Sequence, residues 1–236
     1  MAKTVLLNNV DHQTLRVITS RAAEYGDDVM FAVTFPAEFR SLQAHYPIVF
    51  RKSPDAATFQ PIALFGFKEG QNLFLDAQRW NATYVPLVIE RQPFLIGVAD
   101  DELTIHVDLD SPRISTTEGE AVFRTHGGTT EFLERINSVL LAIHEGLQGT
   151  PAFVSALLEH DLLESFVFDI GLADGSINRL AGFYTINEER LHGLGGSALE
   201  SLSRAGHLQA VYMAIASLSN LRALVERQNR SHAGAL

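Results

Sequence analysis

An α+β fold is predicted by three observations. Short β-prone runs broken by Pro and Gly fill the first half, the apolar spacing turns helical near residue 130, and a further β unit precedes a helical C-terminal part. Runs of strands followed by helices, without regular βαβ alternation, point to antiparallel sheets with segregated helices.

Taken in order, Val29–Phe35 is apolar and β-prone, and Pro36 ends it. Pro36 also suits the first turn of a short helix, Ala37 to His45. Ile48–Phe50 resumes strand character. Pro61–Phe67 and Asn72–Leu75 flank the glycine-bearing loop 68–71 and read as a hairpin. Leu87–Ile89 and Phe94–Val98 read as strands. In 103–109 the residues Leu103, Ile105, Val107 and Leu109 share one face, opposite Thr104, His106 and Asp108. Asp110-Ser111-Pro112 turns the chain.

Phe132, Ile136, Val139, Leu140 and Ile143 form a helical stripe, capped by Thr129 or Thr130 and stopped at Gly146. Thr150-Pro151 starts a second helix through Leu158, making a helix pair. Residues 166–172 and 177–184 form a β-hairpin around Asp174-Gly175, a pair that tolerates positive φ. The C-terminal helices are a short one capped by Asn187, one begun by a Ser197/Glu200 capping box, and one after Gly206 with Leu208, Val211, Ile215, Leu218 and Val225 on one side. Asn229 to Leu236 is expected to fray. The 236 residues suit a single domain, with a subdomain break expected near residue 128 at Gly127-Gly128.

Composition narrows the function classes. The net charge of −10, from 28 Asp+Glu against 18 Lys+Arg, disfavours nucleic acid and anionic membrane surfaces, which attract basic residues. No cysteine is present, so disulfides, thiolate nucleophiles and Cys metal sites are excluded. The N-terminal apolar run, Val5 to Leu7, is too short for a secretory signal, and no segment suggests a membrane span. A cytoplasmic location follows as the expectation. The sequons at Asn81 and Asn229 are then chance matches.

Two constellations could carry chemistry. His106-Val107-Asp108 places two ligand-type side chains on one strand face, as in the His-X-Asp part of an Fe(II) facial triad. His126, His144, His160 or His192 would complete it, although a solvated strand face is the reading favoured for His106 and Asp108. Trp80, Tyr84, Arg91 and Phe94 form the richer cluster, able to line a pocket for a planar or anionic ligand or to pack as a core edge. Asp108-Leu109-Asp110 is read as turn chemistry rather than a cation motif. Gly193–Ser197 is read as a loop between helices, and no Gly-X-Ser-X-Gly elbow marks a nucleophile.

Several separated runs resemble one family. Ala44-His45-Tyr46-Pro47-Ile48-Val49-Phe50, Trp80-Asn81-Ala82-Thr83-Tyr84-Val85-Pro86 and Arg91-Gln92-Pro93-Phe94 look like the signature of the SapC family. Gly146–Thr150, Leu180–Glu188 and Gly206-His207-Leu208 are similar to its C-terminal half, so the resemblance spans nearly the whole chain. The family takes its name from a bacterial surface-layer secretion gene cluster. Its members are also encoded beside outer-membrane nutrient receptors, halogenase-like flavoproteins and cupin-like oxygenases. The resemblance carries over no catalytic residue set, and a transport-permease label conflicts with the hydropathy.

The expectation is a non-catalytic accessory protein that holds a small molecule or a protein partner without a cofactor. Its binding residues are Tyr46, Trp80, Tyr84 and Arg91, with Arg91 pairing an acidic group. An Fe(II)-dependent oxygenase using His106 and Asp108 is the alternative. A structural partner subunit or a homo-oligomer is a third.

Overall fold

The computed structural model describes residues 3–53, 58–76, 79–99, 102–171 and 177–233. The strands begin with β1 (Thr4–Leu6), β2 (Arg16–Val17), β3 (Phe31–Val33), β4 (Ile48–Lys52), β5 (Phe59–Leu64), β6 (Leu75–Asp76) and β7 (Arg79–Trp80). They continue with β8 (Phe94–Ala99), β9 (Glu102–Asp108), β10 (Ile114–Ser115), β11 (Glu120–Ala121), β12 (Leu163–Gly171) and β13 (Ile177–Ile186). The helices are α1 (Phe39–Leu42), α2 (Leu87–Glu90), α3 (Glu131–Glu159), α4 (Glu188–His192), α5 (Gly196–Arg204), α6 (His207–Ser217) and α7 (Asn220–Ala233). The α+β class is as the sequence predicts, with antiparallel pairing throughout the described sheets.

The chain divides into two units. The first comprises Met1–Asp28, Leu75–Asn81 and Leu87–Glu145; the second comprises Val29–Phe74, Ala82–Pro86 and Gly146–Leu236. One boundary therefore falls inside α3.

In the first unit, β9 is the centre of the sheet β1-β9-β8, while β2 joins β10 and β11 in a smaller one. The alternation of β9 turns Val107 fully inward, with Ile105 and Leu109 partly buried beside it. They pack with Phe94, Leu15, Val17 and Val122 against Phe132, Leu133, Ile136 and Leu140, the apolar stripe of the first part of α3. Leu103 shares that face but lies exposed near the β8–β9 hairpin end. Thr130 caps α3, its Oγ1 accepting from Leu133 N at 3.3 Å.

In the second unit the five strands run β12-β13-β4-β5-β3. Phe166 pairs with Phe183 but Phe168 with Leu180, so β13 carries one extra residue between them. Gly182, at φ +87°, supplies the positive φ of that bulge. The buried line of α6 is Ala210, Val211, Ala214 and Ser217. Its small side chains let β4 come close enough for Ile48 N to donate to Ser217 Oγ at 2.8 Å, while Ser217 Oγ donates to Ala214 O at 2.6 Å.

Local expectations fail at five places. Leu87–Ile89 is helical in α2, because a run this short has no resolvable period and Pro86 favours a helix start. The expected helix pair is one 29-residue helix, α3, with Pro151 inside it. An internal proline costs about 3 kcal/mol. Burial of Phe153, Val154 and Leu157, at roughly 1.5–3 kcal/mol each, outweighs it. Gly146 does not stop the helix; a Cβ there would lie 2.1 Å from Phe35 Cδ2, so glycine admits the buried Phe35 ring. The turn at 68–71 forms, but β5 pairs with β4 and β3 rather than in a hairpin with 72–75. Ser197 is not the cap of α5: Gly195 occupies the cap position without a side-chain bond, and Glu200 pairs with Arg204 at 2.5 Å.

Two caps are as expected. Asn187 Oδ1 accepts Arg190 N at 2.8 Å, and Gly206, at φ +74°, separates α5 from α6. Helix α7 continues to Ala233, past the expected fraying point. By length and composition alone the stretch His207–Ser231 passes as a candidate membrane span, a test that core helices also pass; a third of its most apolar window is buried in the fold. The Asp174-Gly175 hairpin turn lies outside the described residues.

Candidate functional site

The four expected binding residues fall into both units. Tyr46 and Tyr84 belong to the second, Trp80 and Arg91 to the first.

Tyr46 and Tyr84 are brought together. Tyr46 is fully buried and donates through its hydroxyl to the Tyr84 carbonyl. Its ring stands edge-on to Phe65 and Phe74, with centroids 5.3 and 4.7 Å away. The Tyr84 hydroxyl donates to Glu38 Oε1 at 3.0 Å, and Thr34 Oγ1 donates to Glu38 Oε2 at 2.6 Å. Glu38 is buried, so these two hydroxyls replace water around its carboxylate. The sequence reading missed Glu38; an acid in the first turn after Pro36 looks like dipole complementation alone. Trp80 pairs with Leu75 across β6 and β7 and is buried.

Arg91 stands where α2 gives way to β8. Its amide closes the helical turn onto Leu87 O at 2.9 Å, and Phe94 N returns to Arg91 O at 2.8 Å. This loop folds the guanidinium back so that Nη1 donates to Phe94 O at 2.6 Å. The remaining guanidinium nitrogens have no hydrogen-bond or ion-pair partner among the described residues. Burial holds the Arg91 pKa below the ordinary arginine value, because desolvation disfavours the cation.

Arg91 lines a cavity of about 340 Å³ with Tyr25, Pro93, Leu95, Asp108 and Asp110. The turn after β9 builds the acidic wall. Asp108 Oδ1 accepts Asp110 N at 3.1 Å, the Asx-turn bond expected of that spacing, and Asp110 Oδ2 accepts Lys3 N at 3.0 Å. Two other cavities differ in how their charges are used. In one of about 420 Å³, Arg16 gives both Nε and Nη2 to Gly119 O. In one of about 730 Å³, Asp169 pairs with Arg179 and Arg222 with Glu226.

Adjoining in sequence the cavity residues Gly26 and Pro112, Asp27 and Arg113 form an ion pair that sequence reasoning missed. Asp27 Oδ2 accepts Arg113 Nη2 at 2.6 Å and Ala22 N at 3.0 Å, and Arg21 Nη1 lies 3.4 Å from Oδ1. Arg113 Nη1 donates to Ile18 O and Ser20 O at 3.0 and 2.9 Å, and its guanidinium sits 5.5 Å from the Tyr25 ring centroid. Asp27 and Arg113 are both almost wholly buried. Burial first, and then the Arg113 charge, lower the Arg21 pKa.

His106 and Asp108 lie on one face of β9, as the alternation predicts. His106 Nε2 is 3.2 Å from Thr104 Oγ1, and a Cβ on Gly97 would lie 2.7 Å from the same nitrogen, so the ring rests over Gly97. Among the described residues, no group of three or more His, Cys, Asp or Glu side chains is placed to hold one metal ion.

Against this geometry, comparison with known proteins gives a family and no individual relative. A family model described as SapC matches residues 7–224. No curated protein and no solved structure matches the chain.

Proposed function

From the premise that this chain belongs to the SapC family, we propose that it is a non-catalytic accessory protein that binds a small acidic molecule beside Arg91. The observation that carries the proposal is a desolvated guanidinium, with hydrogen-bonding capacity left over, on the wall of an amino-acid-sized cavity. A carboxylate entering there gains charge-assisted hydrogen bonds without displacing a protein anion. The binding would serve the bacterial surface or nutrient-uptake systems that the family resemblance implies.

Isothermal titration of the purified chain with small carboxylates, with and without an amino group, tests the proposal. Binding that Arg91→Gln weakens at least about tenfold, the loss expected for a charged hydrogen bond, supports it. If none of them binds in a way that depends on Arg91, the proposal is wrong. Metal analysis of protein purified without chelator separates it from the iron-dependent alternative. Stoichiometric iron lost in His106→Ala would put the oxygenase in its place.

A further inference from the structure

We infer that the ligand of the Arg91 cavity is a zwitterion, an α-amino acid with an apolar side chain, whose carboxylate meets Arg91 and whose ammonium meets Asp108 and Asp110. This deepens the anion-binding reading and rests on it.

The cavity has two poles of opposite sign. Arg91 is one; Asp108 and Asp110 are the other. Among the described residues no ion pair joins Arg91 to either acid, and burial alone shifts the guanidinium, with no neighbouring carboxylate raising it. Charges of opposite sign that collapsed onto one another would leave nothing for a ligand. Here they share a cavity and remain apart.

The acids are also only half used. Asp108 spends Oδ1 on the Asp110 amide and Asp110 spends Oδ2 on the Lys3 amide. Asp108 Oδ2 and Asp110 Oδ1 have no further partner among the described residues. Two carboxylate oxygens on one wall suit an ammonium, which has three donors to place. Pro93, Leu95 and the Tyr25 ring supply an apolar remainder, as small-ligand sites generally do. A simple amine would leave Arg91 unmatched, and a dicarboxylate would meet repulsion from the acid pair. Only a ligand carrying both charges satisfies both poles.

Three probe sets separate these cases on the full chain: L-phenylalanine and L-leucine; their deaminated acids, 3-phenylpropanoate and 4-methylpentanoate; and their decarboxylated amines. Asp108→Asn and Asp110→Asn keep an oxygen acceptor for the turn amides while removing charge. Circular dichroism and melting temperature verify that both variants fold. The inference expects an amino acid to bind at least about tenfold more tightly than either half-molecule. The Asn variants should weaken amino acid binding and so remove that advantage. Arg91→Gln should weaken amino acid and deaminated acid alike. Should the deaminated acid bind as tightly as the amino acid, with Arg91 dependence intact, the zwitterion inference falls and the anion reading stands. Failure of every carboxylate-bearing probe overturns both, and an amine that binds as tightly as its amino acid, without Arg91 dependence, leaves a cation site alone and overturns both as well.

Discussion

Removing one partner of the buried Asp27–Arg113 pair should unfold the first unit more readily than removing both. In Asp27→Ala the Arg113 guanidinium keeps, among the described residues, the Ile18 and Ser20 carbonyls and the Tyr25 ring, with no counter-charge at 2.6 Å. An uncompensated buried charge costs about 3–5 kcal/mol. Arg113→Met should cost less, since Arg21 remains 3.4 Å from the Asp27 carboxylate. In the double variant Asp27→Leu/Arg113→Met neither member of the 2.6 Å pair is stranded, and Arg21, which loses Asp27 in either variant, keeps its bond to Ile89 O at 3.1 Å. The Ala22 amide without its acceptor costs about 1–3 kcal/mol in both. The double variant should therefore be more stable than Asp27→Ala. Trp80, the sole tryptophan, belongs to the same unit and reports its urea unfolding by fluorescence, with an unchanged m-value confirming that stability is what moved. High salt should leave the loss intact, because the pair is out of reach of screening ions. A loss below about 1 kcal/mol for Asp27→Ala, or a double variant as damaged as the two singles summed, would refute the reasoning.

Three further outcomes are expected. Gly146→Ala forces a Cβ to within 2.1 Å of the Phe35 ring and should cost about 1–3 kcal/mol, with Phe35→Leu in the same chain recovering part of it; equal melting temperatures for Gly146→Ala and wild type would remove the claim. Gly97→Ala drives a Cβ against the His106 ring, so His106→Ala should suppress its destabilisation, and additive losses would show that the ring does not rest there. Burial lowers the His207 pKa below 6.5, so the fold favours the neutral ring, which stands 5.5 Å from Phe153. Its contribution is complete above that ordinary value and fades as pH falls through it and on through the lowered one. The melting temperatures of wild type and His207→Gln should therefore converge or cross on acidification, and parallel curves across that range would be the contrary result.

The candidate site was legible in part. Arg91 and the turn acids stand out because arginine beside aromatics and Asp-X-Asp before Ser-Pro are short-range patterns. That they share one cavity is a long-range fact, since Arg91 leaves α2 while Asp108 and Asp110 leave β9. Tyr46 and Tyr84 read as pocket residues in the sequence; the Tyr46 hydroxyl meets the Tyr84 carbonyl, and the Tyr84 hydroxyl meets Glu38. Asp27 gives no sign in the sequence, because its partner Arg113 is 86 positions away.

What the sequence determined by itself is whatever depends on a few neighbouring residues. The inward and outward faces of β9, the Thr130 and Asn187 caps and the break at Gly206 are of this kind, and they suffice for the α+β class. Only the tertiary structure decided that α3 runs through Gly146 and Pro151, that Leu87–Ile89 coils rather than extends, and that small residues of α6 face the sheet. Local signals at those positions are weak or adverse by at most about 3 kcal/mol, less than burial of two or three large side chains supplies, so contacts distant in sequence settle them.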